Sequence, residues 1–284
     1  MSFDYAEPAS LAEAIALLED GDEDTVALAG GTAFSLLYRQ GLIRPRRVVG
    51  LRLVADLQGI RTGDDGLWIG ALTTHRSVEN SPEVRATHSP LAAAFATIAT
   101  VRIRNQGTLG GNLAHADPAQ DPPVILSALA AAVHIAGPGG SRRIVPVDAF
   151  FVDYLATVLE PGELILGVLV PSAEAGTRSS YYKYLPRSAD DYATVSVAVS
   201  VRLDDSGLVA AARIALGGVG PTPIRPLAAE AALIGARPDA HHLAEAAALA
   251  RDAVDPLDDS RGSAAYKREM AAVWVRRALE GAVA

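Results

Sequence analysis

The sequence predicts an α+β fold laid out in three consecutive blocks, residues 1–57, 58–172 and 178–284. Three observations carry this. None of the blocks repeats another. The last block opens with strand-like alternation and closes with helical runs, the order of an α+β domain with antiparallel strands. Residues 171–177 hold Pro, Ser, Glu, Gly and Thr without an apolar period and read as a linker.

In the first block, Ser10 precedes Leu11, Ile15, Leu17 and Leu18, with Glu13 three residues on, a capping box leading into an amphipathic helix. Residues 25–29 (TVALA) form a short buried strand that ends at Gly30 and Gly31. Residues 32–40 are helical up to Gly41, and 46–51 are another strand. In the second block, Asp65–Gly66 predicts a tight hairpin with residues 67–72 as its second strand. Thr73 or Thr74 caps a short helix, and 82–97 form a longer one. A Gly- and Asn-rich loop spans 102–112, and a Pro- and Asp-containing stretch 115–123. A helix covers 124–132, strands 133–136 and 143–147 pair, and a turn at 160–162 leads into a strand at 164–170. In the third block, strands at 179–185, 194–203 and 208–217 precede helices at 226–234, 243–254 and 263–282.

Composition excludes several functions. The 284 residues are 50% hydrophobic and 20% charged, too apolar for a disordered tail and enough for one large or two ordinary domains. Cysteine is absent, which removes disulfides, thiolate-held zinc or iron–sulfur clusters and a cysteine nucleophile. A net charge of −8 without a Lys/Arg run argues against nucleic acid. The longest apolar stretches, 91–101 and 124–137, fall short of the roughly 20 residues of a membrane span. The opening MSFDYAEPAS has neither a basic nor an apolar signal region, so a cytoplasmic protein is expected. Lysine occurs only at Lys183 and Lys267, so a lysine in a strand is hard to dismiss as surface filler.

No P-loop, GxGxxG, GxSxG or HExxH is present. Three stretches remain. Ala29, Gly30, Gly31 and Thr32 lie between a strand and a helix, where amides and a hydroxyl can face an anion; alone, they read as a tight turn. Residues 104–112 (RNQGTLGGN) carry three glycines and two asparagines with little charge, which favours a loop that wraps a pyrophosphate while Asn112 reads sugar or ribityl hydroxyls. His115, Asp117 and Asp121 lack the further ligand a metal site takes, so no metal is assigned; the prolines fix the backbone and the carboxylates cap the next helix or accept from a ligand.

LAGGT at 28–32, GALTTH at 70–75, IRNQGTLGGNLAHADPAQDPP at 103–123, LEPGELI at 159–165 and YYKYLPRSADDYATVSVAV at 181–199 resemble the FAD-binding medium subunit of the molybdenum hydroxylases, carbon monoxide dehydrogenase and its relatives, and the flavin domain of xanthine dehydrogenase. The resemblance covers essentially the whole chain. It implies a two-subdomain PCMH-type FAD-binding domain followed by a C-terminal α+β domain with an antiparallel sheet and helices. It further implies that Ala29, Gly30, Gly31, Thr32 and residues Thr108, Gly110, Gly111 and Asn112 offer main-chain donors to the pyrophosphate. Thr74 and His75 would lie near the cofactor and Asp121 would bind its polar groups. Leu166 and Lys183 would sit beside the isoalloxazine ring, with Tyr192 over a ring face. A cation near the ring's N1/C2=O edge favours the reduced anion and raises the potential, so Lys183→Met should lower it. The sequence departs from the family at Ala33–Phe34, where a polar residue is common, and at Gly50, where Asp is common.

The implied protein is the flavin module of a hetero-oligomer: a molybdenum-cofactor large subunit oxidises substrate, a 2Fe-2S small subunit relays electrons, and FAD here collects them for an external acceptor. A stand-alone FAD-dependent oxidoreductase and a non-redox nucleotide-binding or assembly protein of the same fold are the alternatives.

Overall fold

The structure, a computed structural model, describes residues 3–21, 24–186 and 192–284. The first sheet is small and parallel. Strand β1 (Asp4–Ala6) leads to helix α1 (Leu11–Glu19), then β2 (Thr25–Leu28), α2 (Thr32–Arg39) and β3 (Arg47–Gly50). The strand order is β1-β3-β2. Ser10 caps α1 by accepting from the Glu13 amide, and Glu13 reaches back to the Ala9 amide, the expected capping box with its return bond one residue earlier. Strand β2 is half-buried rather than buried. Three-residue β1 has no alternation to read, which is why it escaped the sequence.

Gly50, the family departure at a strand end, has a reason. A Cβ there would stand 2.2 Å from the Tyr5 hydroxyl, so the tyrosine ring covers the place a side chain would take.

The second sheet is antiparallel. Strands β4 (Ile60–Gly63) and β5 (Gly66–Gly70) form a hairpin whose turn residues are Asp64 and Asp65, one position earlier than expected, because Gly66, at φ +133°, already pairs with Gly63. Helices α3 (His75–Asn80), α4 (Pro82–Thr87), α5 (Ser89–Ala96), α6 (Val101–Gln106), α7 (Leu109–His115) and α8 (Asp121–Ala128) follow. Then come β6 (Ala132–Ala136), β7 (Arg142–Pro146), the hairpin β8 (Phe151–Asp153) with β9 (Ala156–Thr157), and β10 (Leu164–Pro171). The five-stranded order is β4-β5-β10-β6-β7.

Three further expectations are corrected in this block. The single helix over 82–97 is two, broken at His88 (φ −141°, ψ 60°). Pro90 cannot donate to the Ala86 carbonyl and would collide with it, at a cost of about 3 kcal/mol for a continuous helix, and the chain breaks there instead. The loop over 102–112 is instead α6 and the start of α7, joined at Gly107 and Thr108. Helix α8 starts at Asp121, three residues before the expected start, because Pro122 and Pro123 are tolerated in a first turn whose amides have no helical partner.

The third sheet is the antiparallel meander β11 (Thr177–Tyr184), β12 (Val195–Leu203) and β13 (Val209–Gly217), followed by α9 (Leu227–Leu233), α10 (Ala240–Asp252) and α11 (Ala264–Val283). Period-2 alternation divides β12. Val195, Val197, Val199 and Val201 pack with Leu243, Ala271 and Val275, while Ala198 faces the other way and joins the core beneath α8. The sheet is thus covered on both faces. Among the described residues, no helix is long and apolar enough to cross a membrane.

Candidate flavin-nucleotide site

Backbone hydrogen bonds draw the separated motifs into one patch. The Ala71 amide donates to the Leu166 carbonyl (3.0 Å) and the Gly110 amide to the Ala71 carbonyl (2.7 Å). Two residues on, the Leu109 amide reaches the Thr73 carbonyl (3.0 Å) and the His75 amide the Gly107 carbonyl (2.9 Å), so Thr74 and Thr108 face each other in an isolated antiparallel bridge. A Cβ on Gly30 would lie 1.8 Å from the Gln106 carbonyl oxygen. Only glycine lets the start of α2 and the end of α6 touch. A Cβ on Gly110 would lie 2.6 Å from Ala71 Cβ, and one on Gly111 3.4 Å from Ala29 Cβ. Ala29, Gly30, Gly31, Thr32, Thr74, His75, Thr108, Gly110, Gly111, Asn112 and Leu166 are therefore brought together.

The two glycine segments differ in what their amides have left to give. Helix α2 starts from Gly31 in the left-handed region (φ 73°), with no side-chain cap. Its first-turn amides have no partner within the helix and point outward with the positive end of the dipole. Ala33 keeps helical backbone there, so its departure from the family costs a side chain and leaves the amides in place. At α7 the amides of residues 109–112 are already used. The Leu109 and Gly110 amides bond to carbonyls of residues 73 and 71, Gly111 to Thr108 Oγ1 (3.2 Å) and Asn112 to the Thr108 carbonyl (2.9 Å). This corrects the reading of 108–112 as a flexible wrap. The glycines serve close packing, and Thr108 caps the helix itself.

What α7 leaves open is a side chain. Asn112 Oδ1 is buried without a partner, as are His75 Nδ1 and Gln120 Oε1. Orphaned acceptors of this kind are rare in folded proteins. Asn112 Oδ1 is fitted to a hydroxyl-bearing ligand, as the α2 amides are to an anion. Both are properties of FAD, with its ribityl chain and pyrophosphate, so the residues present fit that group.

His75, packed edge-on to Phe95 at 5.5 Å, is held neutral: burial, helped by the Arg104 charge, pushes its pKa down to about 4. A depressed histidine contributes stability that is whole above its ordinary value of 6.5 and is lost as pH falls toward 4. The shift corresponds to about 3 kcal/mol at 1.36 kcal/mol per unit. His75→Gln should therefore flatten the fall in Tm between pH 6.5 and 4 relative to wild type; parallel curves would refute this role.

A second assembly lies where α8 meets β11. Lys183 Nζ donates to Asp121 Oδ2 (2.9 Å) and the Thr97 carbonyl (3.0 Å), and Tyr181 donates to Asp121 Oδ1 (2.5 Å). Lysine and aspartate side chains are each 5% exposed. Burial raises the Asp121 carboxyl against the lowering pull of Lys183 and the hydrogen bonds, and burial, with Asp121 beside it, raises Tyr181 well above its ordinary value. Asp121 is the first residue of α8 rather than its cap, since both its oxygens are engaged across the interface. Asp117 instead accepts from the Ala119 amide two residues on (2.9 Å).

Tyr192 stands apart, 41% exposed with the Arg261 guanidinium 5.7 Å above its ring. Asp190 and Asp191 before it lie outside the described residues. Sequence reasoning missed Tyr181, although its place two residues from Lys183 on one strand face was a usable signal. It also missed the Arg104–Glu79 pair (2.9 Å), which with the Ile98 and Ala99 carbonyls anchors α6 and joins residues 25 apart without a local pattern.

An uncapped helix start pressed on a second glycine turn, with an unpartnered acceptor alongside, fits a hydroxyl-rich anionic nucleotide. Residues 1–173 match the FAD binding domain in molybdopterin dehydrogenase, and residues 180–282 the CO dehydrogenase flavoprotein C-terminal domain. The carbon monoxide dehydrogenase medium chain of Afipia carboxidovorans is 38% identical, the alignment covering 100% of this chain and 97% of the relative. A 6-hydroxypseudooxynicotine dehydrogenase complex subunit alpha from Paenarthrobacter nicotinovorans is 37% identical over 99% of this chain and 95% of its own. Among solved structures, a carbon monoxide dehydrogenase from Hydrogenophaga pseudoflava superposes with a TM-score of 0.96 at 38% identity, covering 99% of this chain and 97% of that one. The quinoline 2-oxidoreductase of Pseudomonas putida gives 0.93 at 33%, covering 100% and 97%. The chain belongs to the family of FAD-binding subunits of the molybdopterin dehydrogenases.

Proposed function

We propose that this chain carries FAD as the electron-transfer subunit of a cytoplasmic molybdenum hydroxylase of the carbon monoxide dehydrogenase type. A partner small subunit with 2Fe-2S clusters delivers electrons drawn from a molybdenum-cofactor large subunit, and an external acceptor removes them. The chain has no cysteine and so cannot ligate such clusters with its own thiolates. When bound, FAD supplies the two-electron store; the protein supplies position and electrostatics. The α2 start would receive the pyrophosphate, Asn112 would accept from a ribityl or ribose hydroxyl, and neutral His75 adds no cation to the site. Leu166, Lys183 and Tyr192 are assigned to the ring.

The observation that carries this reading is the junction at Gly30 with the unfilled Asn112 acceptor beside it. Asn112→Ala is the test. Because Oδ1 has no protein partner, Tm of the FAD-free chain should stay within a degree or two, while the Kd for FAD rises about tenfold, the value of one hydrogen bond at roughly 1.4 kcal/mol. Unchanged affinity would remove Asn112 from the site. A chain that takes up no FAD, with or without its partners, would end the proposal.

A further inference from the structure

The chain's negative charge is unevenly placed. Residues 25–55 hold five arginines and no acid in a protein of net charge −8. Helix α2 presents part of this segment outward. Phe34 and Tyr38 stack at 5.8 Å on its half-buried side, against Phe3, while Ser35, Leu36, Arg39 and Gln40 lie on the opposite, exposed arc. The turn that follows exposes Leu42 and Arg44. Leu36 is 48% and Leu42 67% exposed. Among the described residues, neither Arg39 nor Arg44 has a carboxylate partner, whereas Arg52 pairs with Glu7. Two solvent-facing leucines alternate along the segment with two guanidiniums that have no carboxylate partner, a small surface both basic and apolar.

We propose that this surface docks an acidic one-electron carrier protein that accepts electrons from the reduced FAD. The inference rests on the function proposed above. Charge complementarity selects the partner: the rest of a chain this acidic repels an acidic protein, and this segment attracts it, which orients the encounter. Position fits as well. Helix α2 has eight residues, so the surface lies about 12 Å from the helix start that receives the pyrophosphate. A patch of this size suits the small, short-lived interfaces of electron-transfer pairs. Each encounter moves one electron from the reduced flavin to the carrier's one-electron centre. Two encounters restore the oxidised flavin and release its protons to water.

The test uses the assembled, FAD-loaded complex, reduced with a stoichiometric amount of dithionite and mixed by stopped flow with cytochrome b5 as an acidic probe. Cytochrome c serves as a basic control and a neutral quinone as a small-molecule control. Wild-type transfer to cytochrome b5 should slow as salt rises. Arg39→Glu/Arg44→Glu should slow it at least tenfold at low ionic strength, with quinone reduction unchanged and cytochrome c no slower. Equal cytochrome b5 rates in both proteins would overturn the proposal. So would loss of the partner subunits from the variant, which would make the surface an assembly interface, or salt-sensitive binding of wild type to anionic phospholipid vesicles without a cytochrome b5 effect. A wild-type complex that contains no FAD or does not reduce the quinone marks failure of the functional reading instead.

Discussion

Lys183→Met should lower the stability of the chain by about 3–5 kcal/mol, the cost of leaving one member of a buried ion pair without the other. At 2–4 °C per kcal/mol for chains somewhat smaller than this one, the fall in Tm is on the order of 10 °C. The variant leaves Asp121 buried with only Tyr181 as a side-chain donor. Its carboxyl, already raised by burial, loses the lowering effect of the ammonium and moves further up. A carboxyl whose folded pKa lies above its unfolded one gives stability that is present in acid and lost as pH rises through the folded value. The deficit should therefore be smallest near the ordinary carboxylate range and grow toward neutrality. Lys183→Met/Asp121→Asn should regain more than half of it, because the Asn carbonyl still accepts from Tyr181 while the stranded charge is gone. A single variant as stable as wild type at neutral pH, or a double variant no better than the single, would refute the account. Any change in flavin potential is then to be compared at a temperature where both proteins are folded.

Gly30→Ala should have the largest effect on cofactor content. The added methyl would stand 1.8 Å from the Gln106 carbonyl and 3.2 Å from Gly107 Cα, both backbone, so no side chain can swing away. The start of α2 must withdraw from α6, which misaligns its amides with whatever the α6–α7 turn holds. Overpacking of this kind costs about 1–3 kcal/mol of stability. The expected outcome is protein purified with less than a tenth of the wild-type FAD, measured by absorbance after denaturation, and a Tm lower by several degrees. Gly63→Ala is the control, since a Cβ there meets nothing within 4 Å. Equal FAD in Gly30→Ala and wild type would show that contact between the two segments is dispensable.

Much of the fold was legible because its elements obey local rules. The capping box at Ser10, the alternation of β12 and the helix stop at Gly41 need no distant partner to be read. What failed locally was proline and glycine used against expectation. Pro122 and Pro123 opened a helix, Pro90 broke one, and the glycines of 107–111 lay in and beside helices because His75, Ala71 and Thr108 come too close for a further side chain. The site divides the same way. Thr108 and Asn112 were visible in a polar, glycine-rich string, whereas Gly30 and its neighbours alone read as a tight turn. The Gly111 and Asn112 amides are taken by Thr108 within the string, but those of Leu109 and Gly110 are taken by carbonyls at 73 and 71, which no spacing within the string encodes.

The two lysines have a consequence for the outside of the molecule. Lys183 is clamped by Asp121, and Lys267 by Asp259 (2.8 Å) and the Leu257 carbonyl (3.0 Å), with side chains only 5% and 4% exposed. Among the described residues, the solvent-facing side-chain cations that stay protonated at neutral pH are therefore guanidiniums. Acylating reagents and lysine-modifying enzymes find almost no side-chain amine to reach, and no ordinary shift in pH unloads an arginine. The attraction this surface exerts on an acidic visitor is fixed by sequence, and salt is the variable left to weaken it.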